Sequence, residues 1–252
     1  MSLLELHLDR GRAESFGGAA EQYDRYRPGF ADALVDDLVA LGGTDALDVG
    51  CGTGKVARRL AQRGLSVLGV ELDPRMADVA RGHGVRVEVA PFEEWDDAGR
   101  RFDLVACGDA WHWIEHKRGA AKVALVLRPG GSFVRFWSLQ LLDEPVMQAL
   151  DVAYAQHAPE VFRYGRVPPV PAVDPYPSEP PMSPIEPRTY HWERRVSGAE
   201  WAAFTGTISD HRRLPPERLV LLQAAIREAI DRIGETIPVR IVTYASFARR
   251  DE

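Results

Sequence analysis

A short apolar run, Leu47-Asp48-Val49, breaks directly into Gly50-Cys51-Gly52-Thr53-Gly54 and then into a helix-forming segment that starts at Lys55. Three glycines at alternate positions allow backbone angles, and a closeness of approach to a ligand, that side chains forbid. Strand, tight glycine turn and helix together form the opening of a βαβ unit, and open α/β sheets bind their ligands at the carboxyl ends of the strands. A second β-like run ends at Glu71, which places a carboxylate at the same edge. Such a group can accept hydrogen bonds from both hydroxyls of a ribose.

The surrounding sequence fits that opening. Short β-like runs at 45–49, 66–71, 85–89, 102–107 and 132–137 alternate with helical segments at 55–63, 75–81 and 118–127, the pattern of a parallel sheet covered on both faces. Asp73-Pro74 opens the second of these helices as an N-cap followed by proline at the first helical position. Arg128-Pro129-Gly130-Gly131 reads as a stop and turn after the third. Ahead of the unit, Phe30, Leu34, Leu38 and Leu41 form a helical stripe. Beyond Trp137 the alternation lapses into a helical stretch at 143–164 and then a proline-rich one: nine of the 18 prolines fall between Pro168 and Pro187. Regular signals return with a strand at 188–196, a capping box at Ser197-Gly198-Ala199-Glu200, an amphipathic helix at 216–233 and an apolar strand at 239–248.

The expected fold is therefore α/β, a Rossmann-like, doubly wound and mostly parallel seven-stranded sheet with an inserted cap region. We expect one domain over 1–252. Within it, 28–137 would be the cofactor-binding core, 138–187 the cap and proline-rich insertion, and 188–252 the strands and helices that complete the sheet. The proline stretch is expected to lie across the carboxyl edge near the acceptor pocket, stiffened by its prolines.

Composition narrows the partners. The formal charge of −6, from 37 acidic against 31 basic side chains, argues against a broad phosphate-neutralising surface, so no nucleic-acid partner is expected. The charged start of the chain is unlike a signal peptide, and no run is apolar enough to cross a membrane. The two cysteines, Cys51 and Cys107, form neither a metal pattern nor a disulfide framework, which favours a reducing, cytoplasmic setting and no metal.

Three adenosine-binding readings compete for the glycine loop. A phosphate loop needs Ser or Thr after its lysine, but Val56 follows Lys55. The dinucleotide fingerprint needs a glycine or alanine at position 55, so a nicotinamide-dependent oxidoreductase is weakened without being excluded. In the third, the runs DVGCGTGKVARRLA, VLGVELD, and FDLVACGDAWHWIE followed by VLRPGG resemble the class I S-adenosylmethionine-dependent methyltransferases, in particular the small-molecule type-11 group. The Ala-Trp-His-Trp segment and the tail through Tyr244 resemble its trans-aconitate methyltransferase-like subgroup.

That resemblance implies methyl transfer from S-adenosylmethionine to oxygen, nitrogen or carbon of a small molecule, leaving S-adenosylhomocysteine. A module that binds the cofactor without catalysis stays open beside it. The resemblance places Asp48, Gly50, Cys51 and Gly52 around the methionine and ribose, and Glu71 on the ribose diol. Leu72 and Phe92 would sandwich adenine, with Glu93 or Glu94 as its acidic neighbour. Tyr23 and Arg27 lie in an arm expected to close over the cofactor, where the guanidinium would meet the methionine carboxylate. Cys107, Gly108 and Asp109 end the fourth strand beside the donor site and facing the acceptor, and Cys107 is expected to be a packed thiol there. Trp111, His112 and Trp113 are expected to shape the acceptor pocket, with His112 as the candidate general base. Trp201 is the candidate acceptor contact from the C-terminal region. Tyr154, Arg163, Tyr164, Ser209, His211 and Arg212 are further possible contributors there, because loops on a fixed scaffold carry specificity.

Overall fold

The structure is a computed structural model that describes residues 7–9, 11, 14–166, 176, 178 and 181–252. Seven strands form one sheet: β1 (Asp45–Val49), β2 (Ser66–Glu71), β3 (Arg86–Val89), β4 (Phe102–Gly108), β5 (Leu127–Leu141), β6 (Glu186–Val196) and β7 (Ile237–Arg249). Their order is β3-β2-β1-β4-β5-β7-β6. The first five run parallel, while β7 lies antiparallel between β5 and β6. This is the doubly wound, mostly parallel sheet that the alternation implied, and the late strands extend it.

Eight α-helices accompany these strands among the described residues: α1 (Ala20–Tyr26), α2 (Asp32–Ala40), α3 (Lys55–Gln62), α4 (Pro74–Gly82), α5 (His116–Val126), α6 (Glu144–His157), α7 (Gly198–Thr205) and α8 (Pro216–Asp231). Because successive strand residues point to opposite faces, β1 divides its side chains between two cores. Ala46 packs with Leu34, Leu38 and Leu60 beneath α2 and α3, whereas Leu47 and Val49 pack with Val105, Val123 and Phe133 beneath α5. A separate cluster joins α6, α7 and α8 to Val239 and Ile241 of β7. Among the described residues, no helix is long and apolar enough to cross a membrane.

Three local expectations are corrected. The third core helix starts at His116, two residues early, because the Glu115 side chain accepts the N–H groups of Lys117 and Arg118 and caps it there. Arg128-Pro129-Gly130-Gly131 does not separate helix from strand; β5 already begins at Leu127, and the chain absorbs the glycines as an irregularity. Gly130 has φ +73°, and the ladder to β4 skips between the Phe102 and Leu104 pairs. The helix expected through 164 stops at His157, where Ala158 turns to φ −157°.

The proline-rich stretch differs from expectation in its described part. Tyr176 is buried against Trp111 and Phe133, stacks on His116 at 5.2 Å and accepts a hydrogen bond from Arg135 through its carbonyl at 2.8 Å. Ser183 then donates its N–H to the Arg249 carbonyl at 2.7 Å, at the end of β7. These residues strap the α5 side of the sheet down to its amino edge rather than covering the carboxyl edge. The rest of the stretch, 167–175, 177 and 179–180, lies outside the described residues.

Candidate active site

The glycine loop is built as its spacing requires. Gly50, Gly52 and Gly54 all have left-handed backbones, with φ of +64°, +55° and +80°. A Cβ on Gly50 would stand 2.5 Å from the Ala110 Cβ, so this residue lets β1 pass against the connection that follows β4. The turn is closed by the Gly50 and Cys51 N–H groups, both of which donate to the Val70 carbonyl on β2. Two carboxylates frame it. Asp48 accepts the Ala57 N–H at 3.0 Å from the first turn of α3, and Glu71 accepts the N–H groups of Gly52 at 2.8 Å and Asp73 at 2.9 Å. Burial pushes the Asp48 carboxyl up to about 7, with the Glu71 charge adding to the shift. Burial likewise raises Glu71, against the pull of its backbone donors.

A cavity of about 250 Å³ opens above this loop at the carboxyl edge of the sheet. Its floor and one side are Gly50, Gly52, Glu71, Leu72, Met76, Phe92 and Glu93, over β1, β2 and β3. The far side is Asp109, Ala110, His112, Trp113 and Ser138, over β4 and β5. Tyr164, Ile208 and Ser209 close it from the C-terminal region, and Phe16, Tyr23 and Arg27 from the arm. A smaller hollow beside it, about 50 Å³, is lined by Asp48, Cys51, Lys55 and again Tyr23 and Arg27. A wider groove of about 670 Å³ lies at the opposite, amino edge of the sheet. Its Arg100 is paired with Glu88, and its Arg128 with Asp45 and Asp103, so these guanidinia are already committed to carboxylates.

The sequence candidates divide accordingly. Tyr23, Arg27, Gly50, Gly52, Glu71, Leu72, Phe92, Glu93, His112 and Trp113 converge on the main cavity, and Asp48 and Cys51 on the hollow beside it. The choice between Glu93 and Glu94 falls on Glu93, which lines the cavity and accepts the Glu115 N–H at 2.8 Å; Glu94 is exposed and faces Arg118. Arg27 gives its Nε to Thr207 Oγ1 at 2.9 Å and one terminal nitrogen to the Thr207 carbonyl at 3.0 Å. The arm is thereby tied to the segment after α7.

Three candidates sit elsewhere. Cys107 is fully buried inside the sheet, where burial pushes its thiol up, as it does that of Cys51, so neither is an activated nucleophile. Trp111 lies under the cavity rather than in it, packed on Phe133 at 4.8 Å. Trp201 is 1% exposed and packs on Phe204 at 5.0 Å in the helical cluster, so it is a core residue rather than an acceptor contact. The same cluster holds Tyr154, whose hydroxyl meets His211 Nε2 at 2.7 Å; burial lowers that imidazole to about 4. Asp109, expected at the end of the fourth strand facing the acceptor, and Phe16, from the arm, also line the cavity, whereas sequence reasoning did not select Ser138 and Ile208.

The comparisons with known proteins agree with this architecture. Residues 46–131 match the model of a methyltransferase domain family. An uncharacterised methyltransferase of Mycobacterium tuberculosis is 37% identical over 131 residues, covering 51% of this chain and 54% of that protein. A ubiquinone biosynthesis O-methyltransferase of Coxiella burnetii is 29% identical over 104 residues, 38% of this chain and 44% of its own. The chain thus spans about half the length of the relatives it matches. A candidate type II methyltransferase from Anaeromyxobacter dehalogenans shares the fold with a TM-score of 0.64 at 24% identity, over 90% of this chain and 98% of that one. A phosphoethanolamine N-methyltransferase from Haemonchus contortus, solved with phosphomonomethylethanolamine and S-adenosylhomocysteine, gives 0.53 at 18% identity, over 100% and 61%. Residues 46–131 thus resemble a methyltransferase domain, and the seven-stranded fold around them is the one shared with the Anaeromyxobacter dehalogenans structure.

Proposed function

We propose that the protein transfers the methyl group of S-adenosylmethionine to a small-molecule acceptor and releases S-adenosylhomocysteine, as a cytoplasmic enzyme of the type-11 small-molecule group. The observation that carries this reading is the Gly52–Glu71 pair: a left-handed glycine loop whose N–H holds a half-buried carboxylate at the rim of the cavity. The residues present suit the cofactor. Glu71 supplies a two-oxygen acceptor for a ribose diol, Leu72 and Phe92 an apolar slot for adenine, and Glu93 an acceptor for its amino group. Tyr23 and Arg27, with the loop backbone and Asp48, surround the place for the methionine end. Bound there, the cofactor supplies a methyl group activated by a sulfonium.

The chain's own part is positional. The arm and the Thr207 segment exclude water from the cavity, and the aromatic side chains of Tyr23 and Trp113 tolerate a cation without neutralising it. His112 lines the acceptor side, within reach of a general-base role if the acceptor needs one. Lys55 speaks against a dinucleotide: it stands where that fingerprint needs a small residue, and its ammonium donates to the Asp24 carbonyl at 2.5 Å.

Titration calorimetry with S-adenosylhomocysteine tests the reading. The wild type is expected to bind, and Glu71→Ala to weaken binding about 10- to 100-fold, since hydrogen bonds to a charged group are worth about 1.5–3 kcal/mol. No binding by the wild type, or undiminished affinity in Glu71→Ala, would overturn it. Release of S-adenosylhomocysteine with an acceptor panel separates an enzyme from a binding module.

A further inference from the structure

We propose that the methyl acceptor is an amine and that Asp109 is the carboxylate facing its nitrogen; the inference rests on the methyl-transfer reading above and names the substrate class for that site. Asp109 has a left-handed backbone, φ +53°, one of two non-glycine residues in that region among those described. Such a conformation is costly outside glycine and persists where the surroundings over-determine it. Here two bonds to β5 impose it: the Asp109 N–H donates to the Phe136 carbonyl at 2.8 Å, and Oδ1 accepts the Ser138 N–H at 2.9 Å. Both draw the side chain toward β5, on the far side of β4 from the glycine loop. Asp109 lines both the main cavity and the hollow beside it, with its Oδ1 held on the β5 side, whereas Glu71 lies on the β2 side.

Aromatic side chains line the same cavity. Phe16 meets Trp113 and Tyr23 edge-on at 5.9 Å each, and Tyr164 closes the same side of the cavity. Arg27 is the nearby cation, but its Nε and one terminal nitrogen are given to Thr207, and its guanidinium lies over the rings of Tyr23 at 5.1 Å and Phe204 at 5.3 Å. A carboxylic acid entering here would meet Asp109 as a like charge. Burial also lifts the Asp109 carboxyl above the usual carboxylate range, while its Ser138 hydrogen bond and Arg27 pull it down. Arrival of a positive charge would relieve that burial penalty.

Methyl transfer to an amine generates such a charge. The nitrogen lone pair forms the new N–C bond as the C–S bond breaks, and the breaking pair stays on sulfur. Positive charge passes from sulfur to nitrogen, and no proton has to move in the step. A fixed carboxylate beside the nitrogen stabilises that charge as it develops, inside a cavity that screens it little. An alcohol, by contrast, must surrender a proton, and a carboxylate acceptor gains nothing from Asp109.

Sinefungin, an analogue of the cofactor that carries an amine at the methyl position, probes this directly beside S-adenosylhomocysteine. Calorimetry is expected to show the wild type preferring sinefungin by about tenfold or more, as a charge-assisted contact would give. Asp109→Asn keeps the oxygen that serves Ser138 and tolerates the left-handed backbone. In it the preference should shrink to less than about threefold, while S-adenosylhomocysteine affinity changes by less than about threefold. A wild-type preference below that level, an undiminished preference in Asp109→Asn, or equal weakening of both ligands would overturn the proposal. The wild-type measurement decides even if the variant does not fold. Loss of S-adenosylhomocysteine binding by the wild type would instead strike the methyl-transfer reading itself.

Discussion

The donor and acceptor sides that we propose for the cavity are built by different means. The donor side comes from one βαβ unit: the turn after β1, the end of β2 and the start of α3 bring backbone N–H groups and two carboxylates together within a short span of chain. The acceptor side is assembled from Phe16, Asp109, Trp113, Tyr164 and Ser209, which belong to segments far apart in sequence. Local geometry determines the first, and the packing of α6, α7 and α8 on the sheet determines how the second is closed. Damage to the loop should therefore affect binding, while damage to the helical cluster should affect folding first.

The largest effect expected from that contrast is in the cluster. Trp201 is almost wholly buried against Phe204, and truncating such a side chain costs about 3–5 kcal/mol. In a chain of this size, Trp201→Ala should lower the melting temperature by about 10 °C. S-adenosylhomocysteine affinity, measured by calorimetry well below that transition, should change by less than about threefold. An unchanged melting temperature with a selective loss of affinity would return Trp201 to the site. Gly50→Ala should behave in the opposite sense. The left-handed backbone costs an alanine about 1–2 kcal/mol, and the added Cβ meets Ala110 at 2.5 Å. Affinity should fall more than about tenfold with a smaller loss of melting temperature, because the loop must move away from the ligand to relieve the contact. Equal affinity in the two proteins would break the comparison.

The same contrast explains what could be read from the sequence. Gly50, Gly52 and Glu71 were legible because a tight turn restricts residue type locally and the spacing of a βαβ unit is nearly fixed. The parallel run of the early strands followed from alternation, which does not encode their order in the sheet. Trp201 was misread because an aromatic residue in the first turn of a helix looks the same in sequence whether that face meets a cavity or another helix. Asp109 was visible as the residue after β4, but its direction depends on two hydrogen bonds to β5, which no local pattern encodes. The proline stretch signalled an extended chain without its route; the route depends on where Tyr176 finds His116 and Arg135.

A smaller effect concerns pH. Asp48 has an ordinary value of 3.8, and burial raises it to about 7 in the fold. Below the lower value the group is protonated in both states and contributes no difference. As pH rises toward the upper value the unfolded chain releases the proton while the folded chain retains it, so stability falls across this window and the full penalty is present above it. Each pKa unit corresponds to about 1.4 kcal/mol. Denaturant melts from pH 4 to 8 should show wild-type stability falling relative to Asp48→Asn, whose amide oxygen can still accept the Ala57 N–H. Wild-type stability that stays level or rises relative to Asp48→Asn with pH would mean that Asp48 is ionised throughout, with a partner that offsets its burial.

The smallest effect concerns the arm, which belongs to neither side by sequence and joins both in space. Asp24 on α1 pairs with Arg58 of α3 at 2.9 Å and with His83, just past α4, at 2.8 Å, while the Lys55 ammonium takes its backbone carbonyl. These contacts hold α1, and with it Tyr23 and Arg27, over the loop. Partly exposed pairs of this kind are worth at most about 1 kcal/mol each, so Asp24→Asn should lower global stability only slightly. Its effect should be local: faster amide exchange across residues 20–27, unchanged exchange in β7, and S-adenosylhomocysteine affinity reduced by about two- to fivefold. High salt should narrow the gap between the two proteins, since screening weakens the wild-type pairs and leaves the variant with less to lose. If exchange in β7 accelerated as much as in α1, the contacts of Asp24 would be supporting the whole sheet. The arm would then be part of the scaffold rather than a closure resting on it.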